Sequence, residues 1–386
     1  MRVCGIVAEY DPFHAGHLYH LEEARRQSGA DFVVCVISTA FSQRGTPGLF
    51  STKDRAHMAL LAGADLVLGM PVSYACAQAN RFALGGVGIL DALGVVTHLA
   101  FGVEVDALPR LQQAAQLLQE EGRALIALRA QGLQQGLSYA RAQGEALKKL
   151  LGAQDGQNLD RPNFNLGVSY LLALSRLKSS IAPLPIGRAG SYHDTRVQAL
   201  PSATAVRGAL LRGDWQAVSA GLPNAVLPLV RQAVFDGRLC RPGALDQELL
   251  TRLLQGGEYA SLAEMSEGLD QRILKFAPLA ADREMLISLV KTKRYPHARI
   301  SRALSGILLG LQKQPLRRPA YARLLGMRRG AEPLLRAIDK AGFPLVSRPA
   351  KDQRPEIRQD MWAEALWHMG AGLPVAQAYQ QKIIKL

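Results

Sequence analysis

The sequence predicts an α/β fold: a doubly wound parallel sheet followed by a mainly α-helical, basic domain. Three observations lead there. Short apolar runs alternate with helical patterns through the first half, strand signals largely stop after about residue 211, and the excess positive charge lies in the second half. Repeated βα units imply parallel strands covered on both faces, with ligands at the carboxyl ends of the strands. The 386 residues suffice for two or three domains. The division expected is an α/β domain over 1–211 and a basic helical domain over 212–386.

The elements follow in order. Val3–Ala8 (VCGIVA) is a nearly continuous apolar run, as a strand buried on both faces requires. Asp11 and Pro12 break it, Gly16 lets the backbone approach a neighbour, and Leu18, Leu21 and Ala24 recur at helical spacing. Residues 31–38 (DFVVCVIS), 65–68 and 97–102 (THLAFG) read as further strands, and 52–61, 77–93 and 108–120 as helices. The Gln- and Gly-rich stretch 131–160 reads as a helix with loose ends. Helical patterns then cover 203–211, 245–254, 283–290, 297–311 and 320–325, with Pro and Gly between them.

Residues 1–205 carry 18 Lys and Arg against 16 Asp and Glu, whereas 206–386 carry 28 against 16, within a net charge of +14. Such asymmetry points to nucleic acid or an anionic membrane rather than to a small anionic substrate. A basic face kept for solubility is the plain alternative. No apolar run is long enough to span a bilayer and no signal peptide is visible, so a cytoplasmic protein without a membrane partner is expected. The scattered cysteines, Cys4, Cys35, Cys76 and Cys240, read as reduced thiols.

Three of the eight histidines, His14, His17 and His20, fall within seven positions, between the first strand and the first helix. A helix N-terminus there presents free N–H groups and a positive dipole end to an anion such as phosphate. Imidazole can donate to phosphate oxygens and stabilise charge that develops in a transition state. A metal site is disfavoured, because no Cys pair, HExxH or second His cluster supplies the other ligands. His20 reads as a solvated helix residue.

The opening EYDPFHAGHLYHL resembles the HxGH signature of the nucleotidyltransferase superfamily. SQRG (42–45), GADLVLGMP (63–71), RPNFNLG (161–167), SYHD (191–194), SATAVR (202–207), EGLDQR (267–272) and TKRY (292–295) together resemble blocks of the bacterial tRNA(Met) cytidine acetate ligases, in order, to about residue 330. The resemblance implies an HxGH nucleotidyltransferase-like domain that joins acetate to ATP, giving acetyl-adenylate and pyrophosphate. The acetyl group then passes to N4 of the wobble cytidine of elongator tRNA(Met), giving N4-acetylcytidine. Mg2+ is expected to accompany the triphosphate.

Roles carry over by position. The segment Val7, Ala8, Glu9, Tyr10, Asp11, Pro12, Phe13, His14, Ala15, Gly16, His17, Leu18, Tyr19, His20 matches the family's ATP loop, with His14 and His17 as the catalytic pair at the phosphates. Gly102, Asn163 and Arg188 match further ATP contacts, with Asn165 a rival to Asn163. Ser202, Thr204 and Arg207 match the second phosphate motif, expected on the leaving pyrophosphate. Each has a plainer reading: turn glycine for Gly102, helix caps for Asn163 and Ser202, surface charge for Arg188. Lys293, Arg294, Arg299 and Arg302 are the expected tRNA contacts.

Two positions depart from the family pattern. Asp11 stands where Asn is usual, setting a negative charge against phosphate unless a metal or Arg44 compensates. Ala40, in Ser38-Thr39-Ala40-Phe41, stands where the usual run has Asn, removing an amide near the expected acyl site. Two other functions compete. A small-molecule adenylyltransferase of the pantetheine-phosphate type has no evident need for the basic second half. A tRNA-binding protein with a decayed site is opposed by the intact HAGH.

Overall fold

A computed structural model of the chain describes residues 1–103, 108–152, 162–187 and 202–386. Its first five strands are parallel: β1 (Val3–Ala8), β2 (Phe32–Ser38), β3 (Leu66–Met70), β4 (His98–Val103) and β5 (Ala182–Gly187). Their spatial order is β5-β4-β1-β2-β3. The chain runs outward from β1 to β3, then crosses to the other side of β1 for β4 and β5. In an open α/β sheet this reversal opens a crevice at the carboxyl ends of β1 and β4.

Side chains of β2 alternate between two apolar clusters, which is why its run is apolar throughout. Val34 and Val36 pack with residues of helices Ala79–Ala92 and Pro162–Leu177; Val33, Cys35 and Ile37 pack with those of Ala15–Ser28 and Thr52–Leu61. Helices Ala203–Arg212, Trp215–Gly221 and Leu227–Phe235 add Val206, Val218 and Val230 to the second cluster, beside Cys4 and Ile6 of β1. Residues on both sides of position 211 thus share one apolar layer.

The second half also returns to the sheet. β6 (Ala322–Met327) pairs antiparallel with β3, and β7 (Leu345–Val346) and β8 (Ile384–Lys385) pair parallel with β6. The helix expected at 320–325 is therefore strand β6. Six residues are too few for spacing to separate the two periods, and the open backbone row of β3 decides it. β5 has no counterpart among the expected strands, and the stretch 131–160 expected as one helix takes in the end of helix Arg123–Gln134 and then the separate helix Tyr139–Leu151.

Helices Asp246–Leu254, Leu269–Phe276, Arg283–Val290, His297–Leu309 and Pro355–Gly370 build a third cluster around Leu249, Ile273, Leu286, Leu304 and Trp367. Phe41 and Val72, which follow β2 and β3, enter it and seat these helices on the carboxyl edge of the sheet. Ala40, fully buried, is also part of this cluster, so position 40 is an apolar packing site in this chain. Among the described residues no helix is long and apolar enough to cross a membrane. All four cysteines are buried and unpaired, and burial pushes the Cys4 thiol up to about 11.

Candidate active site

The chain leaves β1 through Tyr10, whose φ of 53° is left-handed, a conformation a non-glycine residue keeps only when its surroundings hold it. The buried Tyr10 ring lies 4.6 Å from that of Phe13 and 4.9 Å from that of His17. Helix Ala15–Ser28 starts at once, with His14 as its N-cap. His14 Nδ1 accepts the Gly16 N–H at 3.0 Å, and the His14 N–H donates to His17 Nδ1 at 3.3 Å. This reciprocal pair is a capping box built from imidazoles. Because both Nδ1 atoms accept, the proton of each neutral ring lies on Nε2, where it can donate to a phosphate oxygen. Gly16 completes the logic of the motif: a Cβ there would lie 2.9 Å from His14 Cε1.

His20, one turn further on, is not a solvated helix residue. Among the described residues its buried Nε2 has no hydrogen-bond partner, and burial pushes the imidazole down to about 4 against a Phe101 backbone hydrogen bond. The ring faces Gly102 of β4. A Cβ at Gly102 would meet only His20 Cδ2, at an ordinary 3.9 Å. Packing within the described residues therefore does not demand glycine there; the missing side chain leaves room over the end of β4.

Asp11 does not face phosphate with an open carboxylate. Its two oxygens accept the N–H groups of Leu49 and Phe50 at 2.8 and 3.0 Å, so backbone amides hold its charge, and Arg44 is exposed. The Asp11 carbonyl takes a further bond, from Arg207 Nη1 at 2.6 Å, while Arg207 Nη2 donates to Thr204 Oγ1 at 3.2 Å. Ser202 caps helix Ala203–Arg212 by accepting the Ala205 N–H at 3.2 Å. A helix N-terminus capped in this way also presents N–H groups suited to an anion. The second phosphate motif is thus tied to the first across 196 positions by one guanidinium.

Asn163 lies in the first turn of helix Pro162–Leu177, half-buried, and Asn165 beside it is exposed. A Cβ at Gly167, one turn on, would lie 3.1 Å from Phe101 Cε2, so this helix crosses the end of β4. Arg188 and the SYHD block lie outside the described residues.

Sequence reasoning missed the buried Arg55, whose guanidinium donates to the carbonyls of Glu9, Ser38, Thr39 and Phe50. A lone arginine among buried alanines on one helix was the only available sign. The carboxylate of Glu9, a residue of the expected ATP loop, accepts the Gln43 N–H at 2.7 Å and ties the SQRG loop to that segment, a contact sequence reasoning did not foresee. Gly45 of that loop is pressed against helix His297–Leu309: its φ is 77°, and a Cβ would lie 2.5 Å from the Arg302 nitrogen.

The four expected tRNA contacts divide into two kinds. Lys293 and Arg294 are exposed. Arg299 pairs with Glu267 at 2.7 Å and Arg302 with Glu264 at 2.9 Å, and their side chains are only 15% and 13% exposed. Among the described residues no group of three His, Cys, Asp or Glu side chains could hold a metal ion.

Comparison with known proteins agrees with this geometry. The model of the HIGH Nucleotidyl Transferase family matches residues 1–382. The chain belongs to this family. It is 37% identical over 368 residues to a tRNA(Met) cytidine acetate ligase of Acetivibrio thermocellus, covering 90% of this chain and 88% of that one. The corresponding ligase of Syntrophotalea carbinolica is also 37% identical, over 358 residues, covering 90% and 85%. The crystal structure of Thermotoga maritima TmcAL bound with alpha-thio ATP is similar over the whole of both chains, with a TM-score of 0.90 and 28% identity. The apo form of that protein gives 0.91 and 29%.

Proposed function

We propose that this protein is an ATP-dependent tRNA cytidine acetate ligase. An acetate oxygen attacks the α-phosphorus of ATP and pyrophosphate leaves, giving acetyl-adenylate. N4 of the wobble cytidine of elongator tRNA(Met) then attacks the acetyl carbonyl, and AMP leaves. The observation that carries this reading is the Arg207 bridge: it joins the His14 and His17 helix start to the Ser202 and Thr204 motif at the crevice beside β4. Two helix N-termini and an arginine converge where a triphosphate needs them. The relatives' names supply the acyl acceptor.

Within this reading the Nε2–H groups of His14 and His17 stabilise charge on the phosphates, and Ser202, Thr204 and Arg207 hold the departing pyrophosphate. Adenosine lies over Gly102, with Asn163 and Arg188 as further ATP contacts. Among the described residues no three carboxylate, His or Cys side chains gather around one point, and both Asp11 oxygens accept backbone amides. A divalent ion that comes with the triphosphate would be held by its oxygens and water. Residues 1–211 serve activation, and the basic helical part serves tRNA through Lys293 and Arg294, with Arg299 and Arg302 fixing the surface that presents them. The test is pyrophosphate exchange with ATP in the presence and absence of acetate, followed by mass spectrometry of the tRNA nucleosides. Exchange that ignores acetate would exclude the ligase reading.

A further inference from the structure

We propose that the cleft between the start of helix Tyr139–Leu151, with its cap Ser138, and the segment from Ser288 to Lys293 is a groove for the phosphodiester backbone of the RNA substrate. This rests on the tRNA ligase reading above. The cleft has a volume of about 730 Å³. Its walls include Arg141, Lys291 and Lys293 together with the hydroxyl residues Ser138, Ser288 and Thr292, and among the described residues no carboxylate lines it.

Among the described residues the cations of this cleft form no ion pair, unlike several others of the chain. Arg129 pairs with Glu121, Lys148 with Glu145, Arg299 with Glu267 and Arg302 with Glu264. Arg141, Lys291 and Lys293 are exposed and form no ion pair among the described residues. Lys291 follows the C-terminus of helix Arg283–Val290, where the helix dipole favours a cation, yet that accounts for one charge and not for three facing one space. A duplex presents about one phosphate charge per 1.7 Å of axis, so a groove lined by several cations and hydroxyls suits it better than it suits a single small anion.

The cleft adjoins the active site through the protein itself. Helix Arg283–Val290 leads to it, and the Arg283 guanidinium donates to the carbonyl of Gly45. Ser301 donates to the Arg44 carbonyl at 2.7 Å. Gln43 of the same loop bonds Glu9. At 1.5 Å rise per residue, Arg283 to Ser288 spans about 8 Å along the helix. A relay of hydrogen bonds therefore connects the helix that borders the groove, through the SQRG loop, to Glu9 at the end of β1.

The experiment uses the full-length double variant Arg141→Gln, Lys291→Gln, chosen because both side chains are exposed and touch neither phosphate motif. Binding of tRNA(Met) transcript is measured by fluorescence anisotropy across a salt series, beside acetate-dependent pyrophosphate exchange without tRNA. The expected result is a log–log salt slope flatter by about 1.5 and parental exchange, since each lost phosphate contact removes about 0.7–0.9. A double variant that binds tRNA with the parental slope and affinity overturns the groove. A parent that lacks acetate-dependent exchange yet shows the slope change overturns the ligase reading and supports the groove.

Discussion

The guanidinium of Arg55 donates at once to the carbonyl of Glu9, at 2.8 Å, and to the carbonyl of Ser38, at 2.9 Å. One buried cation therefore joins the chain segments that leave β1 and β2. The segments after β1 and β2 are held from beneath, through their backbones, by a residue that belongs to neither expected phosphate motif. Replacing Arg55 by Met strips several buried carbonyls of their donor, at about 1–3 kcal/mol each. Stability should fall by at least about 3 kcal/mol in urea unfolding, with the m-value unchanged.

His17 sits on the first turn of helix Ala15–Ser28 with Nδ1 engaged by the cap. His17→Ala should slow acetate-dependent pyrophosphate exchange by ~10²–10³, the scale of one preorganised donor lost from a transition state. Loss of the capping contact should cost only about 1 kcal/mol of stability, so thermal melting separates the two effects. Near-parental exchange in a folded variant would sink the catalytic assignment.

Arg207→Gln cuts the link between the two phosphate motifs while leaving the Ser202 cap in place. A hydrogen bond to a charged group contributes about 1.5–3 kcal/mol, so exchange should fall roughly 10- to 150-fold. Because the motifs lie on one apolar layer, the melting temperature should change little by comparison.

His20 gives a pH dependence. Its imidazole is pushed down to about 4 from an ordinary 6.5, so between those values the unfolded chain binds a proton that the folded chain does not. Its stabilising contribution is fully present above pH 6.5 and is lost as pH falls through 4. Urea midpoints measured from pH 7 to pH 4 should drop more steeply in the parent than in His20→Gln. Equal slopes would show that the ring is not held neutral.

The pair of Arg323 on β6 and Glu364 on helix Pro355–Gly370 is almost completely buried at 2.6 Å. Glu364→Gln should cost ~3–5 kcal/mol by leaving the guanidinium unpaired, whereas Arg323→Met combined with Glu364→Leu should cost far less. Chemical denaturation of the three variants reads this out. A double variant as unstable as the single one would mean that the pair's shape, not its charge, is what the site requires.

What the sequence showed and hid follows from range. β1 to β4 and helix Ala15–Ser28 were legible because apolar runs and cap residues are local signals. β5 (APLPIG) was hidden by Pro183 and Pro185; at alternate positions both ring nitrogens face the same side, which an edge strand tolerates. The expected phosphate motifs were readable as strings, but the Arg207 contact that ties them together spans 196 positions. Arg299 and Arg302 looked like phosphate ligands because their neutralising partners, Glu267 and Glu264, come from a loop over thirty residues upstream. Periodicity cannot see a partner at that distance.

The antiparallel seating of β6 against β3 has a consequence for synthesis. A ribosome delivers β1 to β5 long before Ala322–Met327, so the nascent sheet waits with one flank of β3 unpaired for more than a hundred residues of translation. Such an open backbone row is a template for another chain. The newborn protein is therefore most vulnerable to misassociation at β3, and the carboxyl-terminal third ends that exposure by supplying the missing neighbour.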